Sequence, residues 1–550
     1  MNAKLHLTKR KMLSASIVII FGLFCYFFSN NIVSLAATNV PLSSGNIEAM
    51  FYIENSDNNQ LTCIGDGLIN STTEIINDAS SVEDKIITSP NYLNYIMGDC
   101  VIQWHTILRS NNEYQVIGKI VSLDNDSYSS QFNTFEKTIT TNQTLYFSTS
   151  GSDSNDGLSA SSPKRNPEKY LKDGNYTILL KSGDTFFFNS SLSLGSNVKL
   201  STYGEGRAAC AFQKVTTNTF KPSNYGQNIY SVKLNNNDTD TGWISIDGTR
   251  NWKKKLSNSL ENDNEYYIDT TNGLLFLRSD TKDLTGKNLT YASAGNGIVI
   301  SSGNNCYINN IEISGSGYHG VSIVNYSNVL IQNCFIHDIG GGIQKGVGVK
   351  YGNGLQIWAT NSSNIYIYKN IVTNCFDAGL TAQIDDTQKH NSENIIFANN
   401  LVEHCNYGVE FFQYGTSYSL KDIVVDNNII FDSKDITNGY RFTKSSTDYT
   451  AFICLWGFDN HNDSIVFKNN LGLKSQNYAI SHSYKLAVLP CSYIDNKLIT
   501  SNPDSIKYPS NYSGDASQCF VYAQNSPEYK TYYDLYTKIR LKYNTSQLLK

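Results

Sequence analysis

Side chains able to do chemistry recur at matching places in the middle of the chain. Short segments that open on glycine or alanine carry one outward residue two positions later and another four positions later. The first row reads Ser322, Gln356, Thr381, Glu410 and Ile453, and the second reads Val324, Trp358, Gln383, Phe412 and Leu455. Amides, one acid and aromatic rings together suit a ligand with hydroxyl groups and apolar ring faces, as a sugar has. The same Gln and Thr rows could equally serve only to stabilise stacked strands.

Elimination on an acidic sugar is one reaction that these residue types allow. It needs a base that removes a proton beside the sugar carboxylate, and a cation or amide that neutralises that carboxylate. Lys350, Tyr351 and His404 are the candidate bases, and Gln356, Gln383 or a calcium ion is the candidate neutralising group.

Hydrolysis of a glycosidic bond is the second reaction, and it needs two carboxyl groups. They stand about 5 Å apart in retaining enzymes and about 6.5 to 9.5 Å apart in inverting ones. Asp377 and Glu410 are the nearest pair by position in the repeat. An extended chain would separate them by roughly 13 Å, so a corner must bring the two side chains together.

Long loops flank these positions. The glycine-rich loop 340–352 is expected to carry Lys350 and Tyr351 to the edge of Gln356 and Trp358, and it also contains Lys345. Neighbouring insertions add a further group of basic residues, namely Lys389, His390, Arg441 and Lys444. Because the whole chain has a formal net charge of −5, this local positive charge indicates an anionic substrate. The candidate substrate-binding residues are Gln356, Trp358, Gln383, Phe412 and Arg441.

The element that must position these residues is a repeat between 296 and 484. Each copy has a short strand of period two, a turn, and a corner followed by alternating apolar residues, and the corners are Asn305, Asn328, Asn364, Asn394, Asp422 and Ser464. Such short strands cannot bury a face alone, so the copies must stack as coils that share one core. The sequence predicts one inward column down this stack, formed by Ile331, Ile367, Phe397, Val425 and Phe467.

This pattern resembles the right-handed parallel β-helix proteins of the pectate-lyase-like superfamily over about residues 144–490. The resemblance implies an all-β solenoid and an enzyme that acts on polysaccharides. The chain lacks the paired aspartates of β-helix polygalacturonases and the Arg-x-Pro-x-x-Arg phrase of pectate lyases, so the resemblance stops at the superfamily. The expected function is cleavage of an acidic polysaccharide by elimination, with a glycoside hydrolase or a non-catalytic surface adhesin as alternatives.

The remaining segments complete the predicted layout. Residues 1–36 have the basic start, apolar run and small-residue site of a signal peptide, with a membrane anchor as the competing interpretation, so we expect a secreted or cell-surface protein. A β-rich region covers 37–141, the β-helix covers 142–490 with an antiparallel insertion at about 207–292, and a C-terminal cap with a helix from Ser526 covers 491–550. The net negative charge gives no basic field for nucleic acid.

Two weaker predictions concern a metal and the cysteines. Asp153 and Asp156 lie in an acidic loop that could bind calcium, although acidic turns are usually just solvated. Cys375 and Cys405 occupy equivalent places in successive coils and are expected to remain reduced core residues. Cys63 with Cys100, and Cys491 with Cys519, are the expected disulfides if any form.

Overall fold

The structure is a computed structural model in which the chain forms two compact units, residues 1–130 with 530–549, and residues 131–529 with Lys550. It describes residues 128–500 apart from 236–237, 251, 345–347, 359–360, 388–390, 434–449, 459–462, 485–490 and 495, together with the backbone of terminal strands and Tyr533. The predicted C-terminal helix and the apolar run at 12–28 lie outside the described residues. Among the helices that are described, none is long and apolar enough to cross a bilayer.

The first unit contains antiparallel strands, several of them in the region 37–141 that the sequence predicted to be β-rich. One sheet pairs β1, β3 and β4, and a second pairs β2, β8, β7 and β5, with β6 on β7. Their bounds are β1 Leu5–Leu7, β2 Val33–Ala37, β3 Ile47–Asn55, β4 Gln60–Ile69, β5 Lys85–Ile86, β6 Ile96–Met97, β7 Cys100–Leu108 and β8 Tyr114–Ser122. The helix α1, Ser129–Thr138, follows in the chain.

The second unit is a stack of parallel coils, and each full coil contributes one strand to each of three sheets. Sheet A consists of β12 Leu192–Leu194, the first halves of β23 Ile298–Asn309 and β25 Val321–Gln332, β29 Leu355–Trp358, β32 Ala378–Ile384, β35 Tyr407–Gln413, β38 Ala451–Gly457 and β41 Tyr478–Tyr484. Sheet B consists of β9 Gln143–Phe147, β10 Tyr176–Lys181, β13 Val198–Tyr203, the second halves of β23 and β25, β30 Ser363–Tyr368, β33 Ser392–Ala398, β36 Leu420–Asp426, β39 Ile465–Lys468 and β42 Cys491–Ile494. Because β23 and β25 run around the bend between them, sheets A and B join there.

Sheet C forms the third wall of the stack. It consists of β11 Thr185–Phe187, β14 Ala208–Ala211, β24 Ile311–Ser314, β26 Phe335–Ile339, β31 Ile371–Cys375, β34 Leu401–Glu403, β37 Ile429–Ser433, β40 Leu471–Ser475, β43 Lys497–Ile499 and β44 Phe520–Tyr522. The segments that connect sheet C to the next strand of sheet A hold the hairpin of β27 Gly342–Ile343 and β28 Lys350–Tyr351. They also hold the antiparallel insertion.

One apolar core fills the stack. The predicted inward column is confirmed, because Ile331, Ile367, Phe397, Val425 and Phe467 pair in register and are all buried. The helix α2, Glu168–Asp173, covers the first coil, and its Leu171 reaches the core. On the outer face of sheet B, Phe132 of α1 packs on Tyr366 and Tyr368 with ring centroids 5.0 and 4.9 Å apart.

The corner between sheets B and C carries a buried row of asparagines, one in each of five successive coils: Asn370, Asn400, Asn428, Asn470 and Asn496. Each amide nitrogen donates to the next side-chain oxygen, at distances from 2.8 to 3.1 Å. The same oxygen accepts the backbone N–H of the preceding coil, for example Asn428 Oδ1 from the Asn400 N–H at 2.9 Å. Hydrogen bonding along the row therefore satisfies buried polar groups that would otherwise oppose folding.

The antiparallel insertion begins later than predicted. Residues 208–211 form β14 of sheet C and pair in parallel with β24, so they belong to a coil. The insertion proper comprises β15 Gln213–Thr219, β16 Lys221–Pro222, β17 Ile229–Lys233, β18 Thr241–Ser245, β19 Lys253–Lys254, β20 Glu265–Asp269, β21 Leu274–Arg278 and β22 Asn288–Ser293. It has its own apolar cluster around Tyr266, Leu275 and Tyr291. Within it β20 and β21 form a hairpin, with Gly273 in the left-handed region of its turn.

The cysteine expectations have mixed outcomes. Cys375 and Cys405 are buried with free thiols, as predicted. Cys491 also has a free thiol, so the expected bridge from Cys491 to Cys519 is wrong. The side chains of Cys63 and Cys100 lie outside the described residues.

Candidate functional site

The outer face of sheet A is the floor of a groove. On one side run the segments that arrive from sheet C, including the insertion and the loop 340–352, and on the other run the segments that leave for sheet B. Loops of this kind on a rigid scaffold are the usual carriers of function. The predicted two rows both lie on this face, in successive coils.

The last coil of both rows differs from the prediction by one residue. Tyr407 pairs with Ala451, so Glu410 stands beside Cys454, and Phe412 stands beside Trp456. Ile453 and Leu455, which the sequence placed in the rows, instead face the core. A shift of one residue turns a strand over. The segment 451–456 is apolar throughout, so period two alone does not reveal its outward face.

A chain of hydrogen bonds links three successive coils on the groove floor. Gln356 Nε2 donates to Gln383 Oε1 at 3.0 Å, and Gln383 Nε2 donates to Glu410 Oε2 at 3.0 Å. The Thr381 hydroxyl donates to the same Glu410 oxygen at 3.3 Å. A carboxylate only accepts, so it orients the Gln383 amide, which in turn orients Gln356. Glu410 is 2% exposed, although glutamate is among the residues least often buried.

Aromatic rings lie beside this polar chain. The ring centroids of Trp358 and Phe412 are 6.5 Å apart, and those of Phe412 and Tyr414 are 4.5 Å apart. Trp358, Phe412, Tyr414 and Trp456 are all partly exposed, so they offer apolar faces to a bound molecule. The sequence reasoning missed Trp456 because of the register error described above.

Asp377 lies at the start of β32. Its backbone oxygen accepts the N–H groups of Asn406 and Tyr407, and its side chain is 3% exposed. Ala378 and Thr381 both face outward although they are three residues apart, whereas Leu380 faces the core. The predicted pairing of the Asp377 and Glu410 carboxyl groups stays a prediction.

Lys350 is 1% exposed and contacts the antiparallel insertion. Its ammonium donates to the backbone oxygen of Lys254 at 3.1 Å and lies 5.4 Å from the centroid of the Phe376 ring. Lys350 thus belongs to a cavity between the insertion and the coils, which we call the insertion cavity. The reason is the hairpin of β27 and β28, which Asp240 of the insertion holds by accepting the Ile343 N–H at 2.7 Å.

Tyr351 packs against Tyr318 and His319, with ring centroids 4.9 and 5.0 Å apart. Burial, with smaller contributions from Tyr318 and Asp240, raises the pKa of the Tyr351 phenol well above its ordinary value. Burial also lowers the pKa of His319 to about 3, so this ring is neutral near neutral pH. Its Nδ1 accepts the Asn353 N–H at 3.1 Å, which holds the backbone at the start of β29.

His404 does not lie on the groove floor. It follows β34 of sheet C, and its Nδ1 lies 3.0 Å from Asp432 Oδ2. Lys474 pairs with the other oxygen of Asp432 at 3.0 Å. These three residues form a polar row at the corner after sheet C, and the predicted grouping of His404 with Glu410 stays a prediction.

Five further basic residues named from the sequence lie in segments that the structure does not describe. Arg441 lies outside the described residues, as do Lys345, Lys389, His390 and Lys444.

In the acidic loop near the first coil, the carboxylates of both candidate calcium ligands accept hydrogen bonds from the backbone. Asp153 Oδ1 accepts the N–H groups of Arg165 and Asn166, and Asp156 Oδ1 accepts that of Leu158. Within the described part of the chain, no group of three or more His, Cys, Asp or Glu side chains could hold a metal ion.

Comparison with known proteins agrees with the fold. The family model described as right-handed β-helix region matches residues 272–462. With the stacked coils, this match makes the chain a right-handed parallel β-helix protein, as its resemblance to the pectate-lyase-like superfamily predicted. No curated protein sequence matches it.

Several solved structures share the fold at low sequence identity. One described as a glycoside hydrolase is 9% identical, with 68% of this chain and 99% of that chain covered and a TM-score of 0.33. A lacto-N-biosidase from Eubacterium ramulus is 14% identical, with 69% and 68% covered and a TM-score of 0.34. The tailspike protein of an E. coli bacteriophage, in complex with a pentasaccharide, is 12% identical, with 67% and 66% covered and a TM-score of 0.33. At these TM-scores the likeness carries no argument about this chain.

Proposed function

We propose that this protein is a glycoside hydrolase that binds a polysaccharide along the outer face of sheet A and uses Glu410 as a catalytic carboxylate. The observation that carries the proposal is the Glu410 carboxylate itself. It is almost fully buried in the middle of the groove floor, and Gln383 and Thr381 both donate to it. The partly exposed rings of Trp358, Phe412 and Trp456 supply faces on which sugar rings stack.

Asp377 is the second carboxyl group in the proposed mechanism. In a glycosidase one carboxylic acid gives a proton to the glycosidic oxygen as the bond to the sugar breaks. The other, as a carboxylate, either attacks the anomeric carbon or removes a proton from the attacking water. Glu410 receives hydrogen bonds from two donors, an arrangement that suits the carboxylate role, and Asp377 is then the proton donor.

Elimination has less support than hydrolysis. It needs a base, yet Lys350 is 1% exposed with its ammonium donating to the Lys254 backbone oxygen, and the His404 ring lies beside Asp432 at the corner after sheet C. Tyr351 remains, but its raised pKa keeps the phenol protonated near neutral pH, which makes it a weak base. We also propose that the protein acts outside the cell, because of the basic and apolar start of the chain.

A screen of purified protein against pectic, alginate-like, glycosaminoglycan and neutral glycans tests this function. Hydrolysis produces new reducing ends without the ultraviolet absorbance of an unsaturated sugar. Elimination produces both, and binding without cleavage would indicate the adhesin.

Glu410→Gln tests the proposed catalytic residue on any substrate that the screen identifies. Loss of a catalytic carboxylate should lower kcat about 10²- to 10⁴-fold with little change in melting temperature. Glu393→Gln is the matched control, because Glu393 is exposed on sheet B and should leave activity unchanged. Full activity in Glu410→Gln would remove Glu410 from the mechanism.

A further inference from the structure

The insertion cavity is a separate concave site that the sequence did not reveal. Its volume is about 250 Å³, and its lining includes Trp243, Arg250, Trp252, Lys254, Lys350 and Phe376. Pockets for drug-sized ligands measure roughly 300 to 1,000 Å³, so this cavity suits something smaller, such as one sugar unit. Its walls combine indole and phenyl rings with cationic groups.

The charge of the cavity is opposite to that of the chain. Its lining holds three cationic side chains and one carboxylate, Asp338, in a protein of formal net charge −5. The positive charge of Lys254 is compensated by Asp240, because its ammonium donates to Asp240 Oδ1 at 2.7 Å. The same ammonium also donates to the Gly341 backbone oxygen at 3.1 Å. When Lys254 and Asp240 are set aside as a pair, the lining still holds two cationic side chains, Arg250 and Lys350, and one carboxylate, Asp338.

The single carboxylate of the lining is shared with a second cation. His337 Nδ1 lies 2.7 Å from Asp338 Oδ2, and its Nε2 lies 3.2 Å from Glu312. Burial alone lowers the pKa of His337, but its hydrogen bonds to Asp338 and Glu312 outweigh burial and raise the pKa to about 9. The ring is therefore protonated at neutral pH, and Asp338 does not make the cavity acidic.

Arg250 is positioned to contact a ligand. Its guanidinium lies 3.8 Å from the centroid of the Trp243 ring and pairs with Asp338. The Trp243 indole N–H donates to the Asp338 backbone oxygen at 2.6 Å, which fixes the ring beneath the guanidinium. The Arg250 side chain is 42% exposed. A guanidinium has five donors in one plane, so the pair with Asp338 leaves others for a planar or tetrahedral anion.

We propose that the insertion cavity binds the anionic group of an acidic sugar, a carboxylate or a sulfate, through Arg250. Trp243 holds the guanidinium in place, and Trp252 and Phe376 line the space for the sugar ring. The inference rests on the proposed function for the presence of a polysaccharide, and it deepens that function by naming an acidic substrate. The chain passes directly from Phe376 to Asp377 and then into β32, so the cavity adjoins the start of the groove floor.

Calorimetric titration with monosaccharides tests the site without any turnover. The probes are galacturonic acid, galactose 6-sulfate and galactose. We expect at least one anionic probe to bind at least tenfold more tightly than galactose, and the preferred anion distinguishes a carboxylated from a sulfated substrate. Galactose that binds as tightly as both anions would overturn the proposal.

Variants place the binding at Arg250. Arg250→Gln should weaken binding of the anionic probe at least tenfold, and Arg250→Lys, which keeps the charge but not the planar fork, should weaken it less. Lys287→Gln is the control, because Lys287 is an exposed cation of the same insertion, paired with Asp247 at 3.0 Å and outside the cavity lining. Unchanged binding in Arg250→Gln, or an equal loss in Lys287→Gln, would overturn the proposal.

The two proposals can fail separately. Anion binding at Arg250 in a protein that cleaves no glycan would preserve this site and remove the hydrolase. Cleavage that depends on Glu410 but shows no preference for anionic sugars would preserve the hydrolase and remove the acidic substrate class.

Discussion

Two buried polar rows run along the coil stack, one at the corner between sheets B and C and one on the outer face of sheet A. The corner row is uniform, because asparagine occupies it in five successive coils and every amide bonds the next. The sheet A row changes at each coil through Ser322, Gln356, Thr381, Glu410 and Cys454. An asparagine ladder, in which each amide bonds the next, needs the same side chain in every coil, and the sheet A row is not such a ladder.

The two rows also differ in what crosses between coils. In the asparagine row, the side-chain donors and acceptors form hydrogen bonds with groups of the neighbouring coils. On sheet A the hydrogen bonds converge on one carboxylate. A repeating network stabilises a solenoid, whereas a convergent one prepares a single charged group, which is the arrangement that a catalytic residue requires.

Replacing a member of the corner row should give the largest loss of stability. Asn428→Ala removes the side chain that bonds Asn470, Asn400 and the Phe397 backbone oxygen, and it leaves several buried groups without partners. The free energy of unfolding should fall by about 4 kcal/mol or more. Chemical denaturation measures this, and kcat of the protein that remains folded should not change.

Exposed Asn218 in the insertion provides the control for that experiment. It makes a single described side-chain donation, 3.3 Å to the Lys233 oxygen, so Asn218→Ala should change stability by less than about 0.5 kcal/mol. If Asn428→Ala were equally mild, the corner row would not be the structural row.

Removing a donor from the sheet A row should affect activity more than stability. Gln383→Leu deletes the amide that donates to Glu410, and hydrogen bonds to charged groups contribute about 1.5 to 3 kcal/mol. We expect kcat/KM to fall roughly 10- to 100-fold, since each 1.4 kcal/mol is tenfold.

Gln332→Leu is the matched control, because Gln332 is an outward glutamine on sheet B that donates to the Tyr307 hydroxyl at 2.8 Å. Equal activity losses in the two variants would mean that the sheet A row acts only through stability.

Replacing Asp463 should have the smallest effect on stability, and that effect should depend on pH. Its Oδ1 accepts the Leu420 N–H at 2.6 Å, and its Oδ2 is buried with no hydrogen-bond partner among the described residues. Burial raises the pKa of Asp463 to about 7 despite the hydrogen bond from Leu420. The folded state thus holds a proton that the unfolded state loses near pH 4. Stability from this group is complete below that pH and is lost as pH rises through 7.

Thermal unfolding of Asp463→Asn against the parent between pH 5 and pH 8 measures the effect. The parent should lose about 1 to 2 kcal/mol more than the variant over that interval. Parallel pH profiles would show that Asp463 is not protonated in the folded protein.

The coil architecture was predictable because it depends on local pattern. Asparagines at the corners tolerate the left-handed backbone that a tight turn requires, as at Asn305, Asn328 and Asn364, and alternating apolar residues set the inward column. The Gly-led strands likewise revealed Gln356, Gln383 and Glu410 on one face. Register failed only in the apolar segment at 451–456, where alternation carries no information.

The parts of the site that the sequence did not reveal depend on contacts between distant segments. Lys350 is 96 residues from the backbone oxygen of Lys254 to which it donates. Trp243 is 95 residues from its acceptor at Asp338. No local pattern specifies such pairs, because they follow from how the insertion packs on the coils.

The sequence by itself determined the right-handed coil stack, its core column and the face that carries Glu410, since short-range period and corner chemistry suffice for these. Tertiary structure alone decided which basic residues stand near that face, because loops are placed by packing rather than by pattern. In the folded protein Lys350 lies in the insertion cavity, and His404 lies at the corner after sheet C. Those placements favour hydrolysis by carboxyl groups over elimination by a base.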